Sequence, residues 1–268
     1  MDSEAGVGSM VRWWRRHRRR SQLDVALAAD VSARHLSCIE TGRAQPSRTM
    51  VERLCDELDV PLRQRNTLYL AAGFAPAHDE RTLDDLGAAR AALDTLLRAH
   101  DPNPAVAVDI RWDVVAANTA MTRFLSQVPP AVAGPPLNMM RATLHPDGLF
   151  PSLLDPAQWR ANALRRLRRQ LDRTGAPELV ELLAELETYP QPPDNIDDSS
   201  SESDGIVTPM RMRTEAGDLS LLYTVTVFGS PRDVTLDELA VETFLPADRA
   251  TRRLLEAMAA DDPQLTAD

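Results

Sequence analysis

Residues 21–43, Ser21-Gln22-Leu23-Asp24-Val25-Ala26-Leu27-Ala28-Ala29-Asp30-Val31-Ser32-Ala33-Arg34-His35-Leu36-Ser37-Cys38-Ile39-Glu40-Thr41-Gly42-Arg43, read as two short helices joined by a tight turn. Ser21 is an N-cap, because its hydroxyl can accept an N–H that the first helical turn leaves without a partner. The spacing of Leu23 and Leu27, with Ala26, predicts the buried stripe of the first helix. Asp30 falls where the chain reverses, and Asp tolerates a left-handed backbone better than most residues. Ser32 caps the second helix, Leu36 and Ile39 face inward at i, i+3 spacing, and Gly42 ends it. Ala33, Arg34, Ser37 and Cys38 are left outside. Small and polar side chains around one Arg suit a helix that enters a DNA major groove.

The same residues carry a resemblance. Ser21-Gln22, Val31-Ser32 and the close Leu36-Ser37-Cys38-Ile39-Glu40-Thr41-Gly42-Arg43, followed by Pro46-Ser47, resemble the Xre-type (lambda-repressor-like) helix-turn-helix. Leu54, Leu58, Pro61 and residues 66–76 extend the likeness to a five-helix domain over residues 1–76. Asp30 departs from the family, in which Gly is common at the turn. The resemblance implies that Gln22 braces against DNA, that Ala33, Arg34 and Ser37 read bases beside the capping Ser32, and that Arg43 and Ser47 touch phosphate.

The net charge of −10 speaks against a nucleic-acid partner until its distribution is read. Through residue 74 there are 12 Arg against 9 carboxylates, and beyond it 18 against 31. The basic residues cluster at Arg12, Arg15, Arg16, Arg18, Arg19 and Arg20 around Trp13 and Trp14. Val11 and Trp14 read as the inward side of a first helix, which makes Arg15, Arg16 and Arg19 candidates for sequence-independent phosphate contacts.

At 268 residues, 43% of them hydrophobic, the chain suits two domains with proper cores. Cys38 and Cys55 are not placed to pair, which points to a reducing compartment. Cys38, on the outer side of its helix, is the candidate redox thiol. The chain carries no run long enough for a membrane span and no signal-peptide pattern, so a cytoplasmic location without membrane insertion is expected.

After a short polar joint at 77–82, Leu83, Leu86, Ala89, Leu93, Leu96 and Leu97 recur at helical spacing. Asp101-Pro102-Asn103-Pro104 stops that helix. Residues 105–110 and 114–117 then read as two strands of a hairpin, and Asn118 caps a helix over 119–125 with Met121, Phe124 and Leu125 inward. Helices are expected over 157–174, with a basic face at Arg160, Arg165, Arg166, Arg168 and Arg169, and over 177–188, with an acidic face. Residues 190–205 read as a mobile loop. Residues 206–213 and 219–228 alternate across a Gly-containing turn as a second hairpin, with Leu221, Tyr223, Val225 and Val227 on one face.

Pro104-Ala105, Ala116-Ala117-Asn118, Asn138 ahead of Leu144-His145-Pro146-Asp147-Gly148, and Phe244-Leu245-Pro246-Ala247-Asp248 make residues 83–259 resemble the PAS-like ligand-binding domain of MmyB-like transcription regulators. The expected architecture is therefore α plus α/β in two domains: a helix-turn-helix, then, over 83–268, a PAS-like antiparallel sheet with flanking helices. Such a sheet closed by helices makes a concave apolar space. Trp112, Phe124, Met139, Met140, Phe150, Trp159, Met210, Met212, Leu221, Tyr223 and Val225 are its candidate lining, with Met as the adaptable component. The resemblance implies a small apolar ligand such as a fatty acid. The alternative is an adaptor whose second domain docks a protein and holds no guest.

Enzymatic chemistry finds little support. The five His lack metal-ligand spacing, and neither a phosphate loop nor a nucleophile elbow is present. No cofactor is expected: the nearest suspicion is haem held through His100 or His145, and His145 sits in a turn-like context that suits a capping or surface role. The reading is a non-enzymatic regulator that binds double-stranded operator DNA as a homodimer.

Overall fold

The computed structural model describes residues 6–190, 209–229 and 231–260. They form two compact units. The first comprises residues 6–81 with the segments 170–177 and 231–237; the second comprises residues 82–169, 178–190, 209–229 and 238–260.

Five helices make the body of the first unit: α1 (Val7–His17), α2 (Gln22–Ala28), α3 (Ala33–Glu40), α4 (Arg48–Glu57) and α5 (Leu62–Ala71). Val7, Met10, Val11 and Trp14 recur at helical spacing and bury one stripe of α1. Side chains at three N-caps satisfy first-turn amides: Ser21 accepts from Asp24 in a reciprocal capping box, Ser32 from His35, and Ser47 from Met50. Asp30 takes φ 55° at the turn and Gly42 φ 72° after α3, the left-handed conformations these positions require. At Gly8, α1 passes so close to α3 that a Cβ would stand 2.0 Å from the Ile39 carbonyl oxygen.

The stripe predicted for α2 is corrected. Leu23 and Leu27 are exposed, at 58% and 71%, while Val25, Ala26 and Ala29 are buried. The smaller side chains let α2 lie close to α3 and α4, and on a seven-residue helix that choice turns the Leu pair outward.

Residues 77–81 are not a free joint. Asn66 accepts from the amides of Ala77 and His78 and donates to the His78 carbonyl, and Arg81 pairs with the buried Asp233 at 3.0 Å. A helical turn, α12 (Val234–Asp237), sits at the N-terminus of α5, where Asp237 accepts the Leu62 amide.

In the second unit, α6 (Gly87–Arg98) leads to the hairpin β1 (Ala105–Val108) and β2 (Val114–Ala117), then to α7 (Thr119–Leu125), α8 (Pro130–Ala133) and α9 (Met139–Leu144). A long α10 (Pro156–Thr174), α11 (Glu178–Thr188), the hairpin β3 (Met210–Thr214) and β4 (Gly217–Val227), β5 (Ala240–Pro246) and α13 (Arg249–Ala260) complete it, α10 passing into the first unit at residue 170. The sheet is antiparallel, in the order β2-β1-β5-β4-β3. Both predicted hairpins are present. The central strand β5 is one that the sequence reading did not name, because a strand buried on both faces does not alternate and Glu242 breaks its apolar run.

Two buried Asn side chains pin the irregular connections. Asn118 Oδ1 accepts from Ala105 and Met121, while Nδ2 donates to the carbonyls of Asn103 and Leu97, which ties α6, β1 and α7 together. Asn138 accepts from Arg141 and donates to Arg111 and Asp113, bracing the β1–β2 turn in which Trp112 adopts φ 69°. The α10 and α11 charges pair in part as solvated faces, through Arg168 and Glu187 at 2.6 Å. Residues 191–205 of the predicted loop lie outside the described residues.

Candidate functional site

The outer side of α3 is the candidate reading face. Arg34 and His35 are exposed and Ser37 and Cys38 are half-buried, while Leu36 and Ile39 are fully buried beneath them. His35 was not assigned to this face from sequence. Ala33 is half-buried against the core instead of lying free on it. Arg43 is exposed and donates to Thr41 Oγ1; Ser32 and Ser47 are exposed at helix N-termini, where amides can also meet phosphate.

Behind this face lies a buried carboxylate. Glu40, 4% exposed, accepts from Arg15 Nε at 2.6 Å, Arg15 Nη2 at 2.9 Å and Gln22 Nε2 at 2.8 Å, with Arg12 at 3.6 Å. Burial pushes the Glu40 carboxyl up, but the bonds from Arg15 and Gln22 and the charges of Arg15 and Arg12 together outweigh it and hold it below the usual range. Arg15 and Gln22, expected at DNA, are thus engaged inside the domain. Arg18 and Arg20 are also engaged, donating to the carbonyls of Leu58, Asp59 and Glu57. Of the basic cluster on α1 and the turn after it, Arg16 and Arg19 are the exposed members.

In the second unit, α7, α9, α10, β3, β4 and β5 enclose a cavity of about 40 Å³, room for little more than a water molecule or two. Seven predicted residues line it: Phe124, Met139, Met140, Trp159, Met210, Met212 and Leu221. With Met121, five of the chain's nine methionines face one cavity. Their unbranched side chains can change rotamer and enlarge it.

Four predicted lining residues are not there. Val225 is 46% exposed, on the part of β4 that runs past the covered face. Phe150 is half-buried in a single 3₁₀ turn, and its neighbour Leu149 takes the place expected for it. Trp112 and Tyr223 stand behind the wall, their rings 4.2 and 4.4 Å from the guanidinium carbon of Arg166.

Arg166 is the main correction. The sequence places it on a solvated basic face, yet it lines the cavity with only 21% of its side chain exposed, 3.0 Å from Glu242. Glu242 is 1% exposed and also accepts from the Tyr223 hydroxyl. Burial pushes the Glu242 carboxyl up to about 7 despite the attraction of Arg166, and pushes the Arg166 guanidinium down despite Glu242. Desolvation therefore exceeds the pair's mutual attraction, as is common for buried ion pairs. The indole nitrogen of Trp159 and Nε of Arg166 are buried without a hydrogen-bond partner among the described residues. No periodicity signal in the sequence marks either member of the pair.

His145 accepts the Asp147 amide through Nδ1, closing its turn. Burial pushes the Cys55 thiol up to about 12, and both cysteines are free. Among the described residues no three side chains are grouped to hold a metal ion, and no helix is long and apolar enough to cross a membrane.

Comparison with known proteins assigns both units. Residues 89–258, more than half of the chain, match the model of the MmyB-like transcription regulator ligand binding domain, and residues 7–68 match a helix-turn-helix domain. Nothing among curated proteins matches the chain. The solved structure of an RNA-binding light-oxygen-voltage receptor is similar at 15% identity with a TM-score of 0.27, over 95% of this chain and 63% of that one. So distant a likeness carries no argument here.

Proposed function

Since the chain belongs to the MmyB-like transcription regulators and carries their ligand-binding domain behind a helix-turn-helix, we propose that it is a cytoplasmic DNA-binding regulator controlled by a small apolar, fatty-acid-like effector. The observation that carries the effector class is the Met-walled cavity, whose aliphatic and aromatic lining has few polar groups. A chain-like guest would enter as the Met side chains swing outward.

In this reading Arg34 reads a base, with Ser37 beside it; Arg16, Arg19, Arg43 and the helix N-termini at Ser32 and Ser47 hold the DNA backbone. One such domain makes few base contacts, so the operator is two half-sites about one helical turn apart and the regulator a homodimer of the Xre type. The domain catalyses nothing.

Native mass spectrometry of the purified full chain, followed by organic extraction, tests the effector. A co-purifying or readily loaded amphiphile that alters operator binding supports the reading. The small free volume favours a second reading, an adaptor with a filled core. Refusal of every apolar probe, together with retained DNA binding, would decide for it.

A further inference from the structure

Apart from Arg166 and Glu242, no residue lining the cavity is charged. Across the sheet from Glu242, β1 presents Val106 and β4 presents Val225, with Tyr223 alongside; α9 contributes Met139, Met140 and Thr143, and the Thr143 hydroxyl is already bonded to the Met139 carbonyl. The polar chemistry of the cavity is therefore one carboxyl, one guanidinium held between two rings, and the indole N–H of Trp159. Two of these, Trp159 Nε1 and Arg166 Nε, are donors with no acceptor among the described residues, and buried donors left so are costly. They describe the missing group as an acceptor.

We infer, building on the apolar-guest reading, that the guest's head is a carboxylate that takes Arg166 and Trp159 as donors while Glu242, released from Arg166, takes up a proton from solvent. Two carboxylates cannot both stay ionised against one buried guanidinium. Arg does not give up its proton, so the adjustment falls on Glu242. Burial already brings that carboxyl to about 7, so its protonation is within easy reach. Neutral Glu242 can then donate its O–H to the guest carboxylate in a charge-assisted bond. One proton enters with each anion and no net charge is added to the cavity. An anionic amphiphile is thereby selected over a neutral one of equal length, and its affinity falls as pH rises.

The test uses delipidated full-length protein with dodecanoate, dodecanol and methyl dodecanoate as probes. Calorimetry in two buffers of different ionisation enthalpy counts the protons. Dodecanoate should bind most tightly and take up about one proton at about pH 8 but much less at about pH 6, with affinity falling about tenfold per pH unit above neutrality. E242Q should abolish the uptake and the pH dependence. R166M should remove the preference for dodecanoate while dodecanol still binds, and the R166M/E242Q double variant, which leaves no buried charge unpaired, guards against loss of folding. Equal binding of all three probes without proton uptake overturns this inference and leaves the apolar-guest reading standing. Binding of none overturns both.

Discussion

Arg15 grips Glu40 through two nitrogens, Nε on Oε1 at 2.6 Å and Nη2 on Oε2 at 2.9 Å, and so ties the end of α3 to the last turn of α1. The side chain of Glu40 is fully buried and that of Arg15 is 11% exposed. Removing one member leaves the other uncompensated. Glu40→Ala should destabilise the helix-turn-helix by about 3 kcal/mol, read as a lowered midpoint in urea. Because folding depresses the Glu40 carboxyl, its contribution is present above the unfolded value of about 4.3 and is lost as pH falls below it. An unchanged midpoint would show that the pair is replaceable by water.

Gly8→Ala tests the close approach of α1 to α3. Ala favours an isolated helix by about 1 kcal/mol. Here its Cβ meets backbone oxygen 2.0 Å away, which cannot swing aside. The clash should win, with a net loss of about 1–3 kcal/mol and weaker DNA binding. A stabilised variant would contradict the packing described.

Arg34 and the pair Arg16 and Arg19 should differ in kind. Arg34→Ala should flatten the response to changes at one base position, by ~1–3 kcal/mol of discrimination. Arg16→Ala or Arg19→Ala should weaken binding to all sequences alike and lower the salt slope by about one each. Titrations of an operator and its point variants over a range of salt separate the two behaviours. A uniform loss with Arg34→Ala would remove it from the reading face.

The Glu242 carboxyl keeps its proton in the folded chain up to about 7, whereas the unfolded chain releases it near 4.3. Between those values the folded state binds more protons, so stability falls as pH rises through the window and levels off above it. The drop should be about 4 kcal/mol at most, at 1.36 kcal/mol per unit. Urea unfolding at intervals of pH measures it, and E242Q should flatten that part of the profile.

Much of the architecture was legible in the order of residues. Ser21, Ser32 and Asn118 are caps as their positions imply, and Asp30 is left-handed at the turn. Such features depend on neighbours a few residues away, which the sequence displays directly. The hairpins were legible for the same reason. The central strand β5 was not, since burial on both faces erases alternation, and with it went Glu242. Half of the apolar wall was found by residue type alone, but Val225 and Phe150 were misplaced because type does not say where a strand leaves its cover or which of Leu149 and Phe150 turns inward.

The sequence by itself determined the two-part order of the chain, its caps and turns, and a store of Met and aromatic residues sufficient for a deformable apolar interior. Tertiary structure decided which charges remain available. Arg15 and Gln22 close on Glu40, Arg16 and Arg19 stay exposed, and Arg166 leaves a row of surface arginines to meet Glu242 from β5, 76 positions later in the chain. A charged side chain looks alike in any sequence window. Its role depends on whether folding brings a partner within about 4 Å and removes water from both.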